Sequence, residues 1–333
     1  MQRQIRIFLR IALLGIASLC CIRCSGNKTN EGTSEFTIIR FDTDLYRYLT
    51  QNASDSVIQK DKEFLDVLGG GVLGIGKSDS TGFYSRLKNY FSDSTLLHIY
   101  KDEQEKFADI TEINKELSKG LTVFLQQFPK IKPPKVYMHV SGFSQNVVVT
   151  DDILSLSADR YMGQDYPLYQ NFFYDYQRQL MSPDRIVPDY LLGFMMANFP
   201  FKGDEDVLLD RMLYEGKLRY ILSQILPDRK TGEYVGYNEE QYEWCHQHQS
   251  ILWKTILENH HLFTADYVTT NQYLKEAPHT TPLSVESPGR VGIWLGYQII
   301  SAYMKQKSTM NWQALIDNTN YREILKQSKY KPD

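Results

Sequence analysis

The hydrophobic period of this chain changes twice, and that constrains its fold more than any other feature. Apolar residues recur at helical spacing around Leu45 to Leu49, Val57 to Leu68, Gly82 to Tyr100 and Glu105 to Phe128. The connector Pro129-Lys-Ile-Lys-Pro-Pro134 ends that pattern. Beyond it, Lys135 to Val140, Asn146 to Thr150 and Ile153 to Ser157 are short and β-branched or apolar, which predicts a small sheet built from a hairpin. Phe36 to Phe41 predicts one further strand. After Asp165 the helical period returns, with helices expected at about 186–199, 204–226, 238–260, 290–305 and 311–327. One small sheet packed with long helices defines a predominantly helical α+β fold, not the regular strand-helix alternation of a doubly wound one.

The first residues carry a different message. Arg3, Arg6 and Arg10 precede the apolar run Ile11 to Leu19, and Cys20, Cys21 and Cys24 follow before a polar stretch. This is the pattern of a signal peptide, residues 1–20, and the run is shorter than the roughly 20 residues a membrane span needs. A cysteine directly after such a run points to a bacterial lipoprotein, in which the thiol is acylated and becomes the new N-terminus. A small residue normally precedes that cysteine, which excludes Cys24 behind Arg23 and counts against Cys20 behind Leu19. Cys21 is the expected lipidation site by elimination; the alternative is a cleaved signal peptide with no lipid. Residues 21–35 then form the lipidated cysteine and a flexible tether, and 36–333 a single globular domain.

Loss of three arginines with the signal peptide takes the formal charge from −3 to −6. A mildly acidic surface gives no phosphate-binding field, so no nucleic-acid partner is expected. Cys245 is the one cysteine in the body, so no intramolecular disulfide braces the fold.

Gly71-Val-Leu-Gly-Ile-Gly76-Lys77-Ser78 satisfies the P-loop pattern letter for letter. That motif needs a strand before it and a helix beginning at its lysine. Here a helical pattern precedes it and the turn Asp79-Ser-Thr-Gly82 follows, so the expectation is a helix stop and loop without nucleotide. His246 and His248 lie two positions apart on one helix and point about 160° from each other, so they cannot share an ion. The chain has no HExxH, and neither metal nor cofactor is expected.

The helix Asp206 to Leu226 is the most informative. Asp206, Asp210, Lys217 and Gln224 project as one polar stripe, expected to be wet. Opposite it Arg211, Glu215 and Arg219 form a second line among leucines, and a buried carboxylate there requires a partner or a large pKa shift. Both arginines lie one turn from Glu215. Later, Ser287 is a candidate N-cap and Pro288 a first helical residue, Gly292 and Gly296 would allow close helix approach, and Glu286 and Arg290 sit at the helix mouth. The expected buried polar cluster is Arg211, Glu215, Arg219, Glu286 and Arg290, with Lys217 as a further cation that could neutralise Glu215; the alternatives are exposed salt bridges around Glu215 and a plain capped helix start at Glu286 and Arg290.

At these residues the chain resembles the gliding-motility lipoprotein GldB family of Bacteroidetes. The likeness runs from Ile39-Arg-Phe-Asp42 through Phe128 to Tyr137, Ser141-Gly-Phe143 and Ala158-Asp-Arg-Tyr-Met-Gly163. It continues in Met212-Leu-Tyr-Glu-Gly-Lys217, Gly236-Tyr237, Trp244-Cys245, Glu286 to Gly296 and Ser328 to Pro332. The resemblance implies an outer-membrane lipid-anchored protein, its body facing the periplasm, whose partners are envelope proteins of the gliding and type IX secretion machinery. That family is in turn similar to zincin-like metallopeptidases, which implies that Tyr214 to Leu218 stand where a zincin carries HExxH and that Glu286 stands near a third ligand. Both histidines are replaced, by Tyr214 and Leu218, so the resemblance implies a pseudo-enzyme whose residual candidate catalytic group is Glu215. Two other readings are a metal-dependent hydrolase with Glu215 as general base and a glycan-binding lipoprotein with aromatics such as Tyr161, Tyr166 and Tyr169 exposed.

Overall fold

Four short strands meet where the period changes. A computed structural model describes residues 36–307 and 310–332; the predicted signal peptide, Cys21 and the whole tether lie outside the described residues. Strands β1 (Ile38–Arg40), β2 (Lys135–His139), β3 (Val147–Val149) and β4 (Ile153–Ser157) form one sheet in the order β1-β2-β4-β3. The expected hairpin is β3 against β4, antiparallel with Val148 opposite Ser155. β2 pairs parallel with both β1 and β4. Neighbouring side chains of a strand point to opposite faces, and both faces are covered here. Val136, Met138, Leu154 and Leu156 enter the larger core, whereas Tyr137 and Ile153 enter a second core with Phe41, Leu45 and Phe64.

Helices α1 (Phe41–Thr50) and α2 (Ser94–Lys106) belong to the second core's side. On the other side lie α3 (Thr111–Gln127), α4 (Ile186–Asn198), α5 (Leu208–Ile225), α6 (Val291–Gln306) and α7 (Tyr321–Ser328). The chain enters this frame pinned to α3: the Phe36 N–H donates to Ser118 Oγ at 3.0 Å and the Ile38 N–H to Asn114 Oδ1 at 2.7 Å. The long helices expected late in the chain are divided. Residues 238–260 form Glu239–Gln247 and Gln249–Glu258, broken where the His248 ring stacks on Trp244 at 4.2 Å and its Nδ1 meets the Trp244 carbonyl. Residues 311–327 form Trp312–Asp317 and α7, because Asn320 caps the second helix through the Glu323 N–H.

The P-loop-like segment has neither required flank. A helix, Lys62–Val67, leads into a wide helical turn, Leu68–Val72, and the next helix begins only at Phe83. The Ser78 N–H, which a P-loop would offer to phosphate, donates to Asp66 Oδ1 at 2.7 Å.

Helix α5 is buried on nearly all sides, and this corrects the expected wet stripe. Asp206 and Gln224 are exposed and Asp210 is half-buried, but Lys217 is 1% exposed because residues 312–328 cover it. Its Nζ donates to the Asn318 carbonyl at 2.5 Å and lies 4.8 Å from the Tyr321 ring. Burial pulls the Lys217 ammonium down to about 8. Against α5 lies α6, and no side chain separates them at their crossing. A Cβ on Gly296 would sit 1.9 Å from the Met212 carbonyl oxygen, and one on Gly216 would sit 2.3 Å from that of Gly296.

Gly296→Ala is therefore expected to destabilise the fold by about 1–3 kcal/mol, read as a lower urea midpoint. Gly71→Ala, which meets nothing within 4 Å, is expected to be neutral or slightly stabilising. The Lys217 shift has a pH signature. Its folded value lies below the unfolded one, so the unfolded chain holds more protons and stability rises with pH above about 8. Between about pH 8 and 9.5 the wild type is expected to gain roughly 1.5 kcal/mol relative to Lys217→Met. Parallel urea curves at the two pH values check this.

Candidate functional site

A buried carboxylate on an apolar helix must find a cation, and Glu215 does. It is 7% exposed, and Arg219, 8% exposed and one turn along α5, donates from Nη1 to its Oε2. Arg211 takes no part. Its Nη1 pairs with Glu205, and its guanidinium lies 5.4 Å from the Phe201 ring, because the chain before α5 folds back over that end of the helix. Lys217 faces the C-terminal segment on another side. Glu286 is exposed on the loop before α6. The six residues expected as one cluster thus divide, and Arg219 and Arg290 are the two that meet at one cavity.

The start of α6 explains how Arg290 gets there. The helix begins at Val291, three residues later than its proline suggests. Ser287 does not cap it: its Oγ accepts from the Thr280 N–H at 3.0 Å and donates to the Ser284 carbonyl at 2.6 Å, bracing the loop. Arg290 occupies the cap position with φ +63°, a left-handed backbone that costs a non-glycine residue about 1 kcal/mol or more. Its Nη2 donates to the Gly236 carbonyl at 3.1 Å. Burial foremost, with help from nearby Arg185 and Arg219, lowers the Arg290 pKa below its ordinary value, while Tyr237 and Glu276 act the other way.

Arg160, Arg185, Arg219 and Arg290 line a cavity of about 320 Å³ between the sheet edge, α4, α5 and the start of α6. Asp189 and Glu276 are the carboxylates on its wall. Arg185 is held by Asp189 Oδ1 at 2.6 Å and by the Glu233 carbonyl at 2.5 Å. Tyr161 donates its hydroxyl to Asp189 Oδ2 at 2.9 Å. Arg160 donates to the Phe143 carbonyl at 3.3 Å, with its guanidinium 4.5 Å from the Phe173 ring. The Nε atoms of Arg160, Arg185 and Arg219 are buried without a hydrogen-bond partner. Val147, Leu192 and Met196 supply apolar wall, and Met196 is 41% exposed. Reading the sequence alone missed Arg160, Arg185, Asp189 and Glu276. The available signals were the four-residue spacing of Arg185 and Asp189 and the presence of Arg160 in the block Ala158 to Gly163.

The remaining candidates have packing roles. Tyr214 donates its hydroxyl to the Phe199 carbonyl at 2.9 Å, and Leu218 is fully buried. Tyr161 and Tyr169 are buried, and half-buried Tyr166 donates to Asp102 at 2.8 Å, so these three tyrosines make no exposed row. His246 is exposed and His248 is half-buried. Among the described residues no three His, Cys, Asp or Glu side chains come together as a metal-binding group.

No helix among the described residues is long and apolar enough to cross a membrane. No curated protein and no solved structure matches the chain. The family described as Gliding motility protein GldB matches residues 25–332, nearly the whole sequence. The chain belongs to the GldB family, a lipoprotein family of gliding motility.

Proposed function

We propose that the mature protein is an outer-membrane lipoprotein acylated on Cys21, with residues 36–333 as one globular body in the periplasm, and that it supports gliding motility and type IX secretion through protein contacts without catalysis. Family membership supports the motility and lipoprotein parts of this reading. The observation that carries the non-catalytic part is the ion pair of Glu215 with Arg219. A general base must be free to take a proton, whereas this carboxylate is 7% exposed and its charge is already matched by a guanidinium. Tyr214 and Leu218, at the positions of the lost histidines, are committed to packing. Exposed apolar side chains such as Tyr267 and Val268, 53% and 64% exposed, offer the kind of surface that partner proteins cover.

Glu215→Gln tests the assignment, since it keeps a hydrogen-bond acceptor for Arg219 and removes the base. The expected outcome is a modest loss of stability, about 1–2 kcal/mol, and normal gliding of cells that carry the variant at wild-type abundance. Loss of gliding at matched abundance, or stoichiometric zinc that disappears with the substitution, would establish the hydrolase reading instead. Crosslinking of the tagged full chain in intact cells is expected to capture envelope proteins of the motility machinery.

A further inference from the structure

Support of motility through protein contacts leaves the arginine-lined cavity without a role, and its construction is costly for a site with none. Four guanidiniums and two carboxylates line the cavity, so the wall itself is predominantly cationic, while Glu215 behind Arg219 and buried Asp159 beside Arg160 stand outside the lining. Like charges gathered at a partly buried site repel. The left-handed backbone of Arg290 adds strain at the same wall.

We propose that this cavity binds a phosphate monoester, with the dianionic phosphate among Arg160, Arg185, Arg219 and Arg290 and the ester substituent against Val147, Leu192 and Met196. The arginines arrive from four separate elements: the turn after β4, the turn before α4, α5 and the cap of α6. Donors converging from several sides suit the oxygens of a tetrahedral oxyanion better than the two in-plane oxygens of a carboxylate, which one guanidinium fork satisfies. The volume argues for an ester. A space of about 320 Å³ is about ten times the share of one water in the liquid, far more than a bare phosphate fills, and part of its wall is apolar. Met196 at 41% exposure marks the rim through which the substituent reaches solvent. The same chemistry is offered by a soluble phosphorylated metabolite and by the headgroup of a monoester lipid.

The test is titration calorimetry on the purified full chain in non-ionic detergent. The probes are inorganic phosphate, glycerol 3-phosphate, a water-soluble short-chain phosphatidic acid and, as a diester control, glycerophosphocholine. Saturable binding of at least one monoester is expected, tighter than inorganic phosphate and tighter than the diester. A preference for glycerol 3-phosphate identifies a soluble ligand and a preference for phosphatidic acid a lipid headgroup; either result supports the proposal. Affinity is expected to fall about tenfold or more in Arg160→Gln. Met196→Glu places a negative charge at an exposed rim position, where folding is unaffected by design, and is expected to weaken binding similarly, whereas Met196→Lys retains it. Affinity should also fall below about pH 6, where the dianionic monoester takes up a proton and becomes a monoanion. Absence of saturable monoester binding to folded protein, binding indifferent to Met196→Glu, or equal affinity for the diester or for inorganic phosphate overturns the proposal.

Discussion

The close crossing of α5 and α6 at Gly216 and Gly296 is the constraint from which the rest of the structure follows. With no side chain between the two backbones, the helices fix each other's position along and around their axes far more tightly than leucine packing would. The crossing carries charge chemistry with it. Glu215 is adjacent to Gly216 and Arg219 lies one turn beyond, so their orientation is set by the glycine contact. Arg290 stands just ahead of α6, and seating that helix on α5 delivers its guanidinium to the wall that Arg219 already lines.

Within this frame, ionisable groups are buried in an ordered way. Glu215 and Arg219 compensate each other, and Lys217 compensates its desolvation only in part, through one carbonyl and one aromatic ring. Arg185 pairs with Asp189, whereas Arg160 and Arg290 lean on backbone carbonyls, which accept hydrogen bonds without cancelling charge. A cation held by carbonyls keeps its field, and a group of them around a cavity concentrates it. The mild overall acidity of the chain conceals this local reversal of sign.

Much of the fold was legible because periodicity reports burial directly. The β-branched runs after Pro129 became β2, β3 and β4, and the glycines of the last long block did allow a close helix approach. Partner choice was less legible. The spacing of Arg211 and Arg219 around Glu215 is symmetric, yet Arg211 pairs with Glu205, which the chain before α5 brings back over it. The wetness of Lys217 depended on whether residues 312–328 would lie over it, and a helical projection of α5 alone contains no such information. The cavity arginines come from four elements that only the folded chain gathers, so no local spacing could have marked them together.

The attachment of Phe36 and β1 to α3 and β2 has a mechanical consequence. Under the proposed lipid anchorage an external pull arrives from the N-terminal side of the body, where Phe36 and Ile38 are fastened by two side-chain acceptors of α3 and by the parallel ladder of β1 on β2. Traction on the anchor is thus shared between a helix and the sheet before it can reach the α5–α6 crossing. Resistance to such traction is governed by the rate at which this fastening ruptures rather than by equilibrium stability. Under that anchorage the edge strand β1 stands between the pull and the charged cavity, as the strain relief of the molecule.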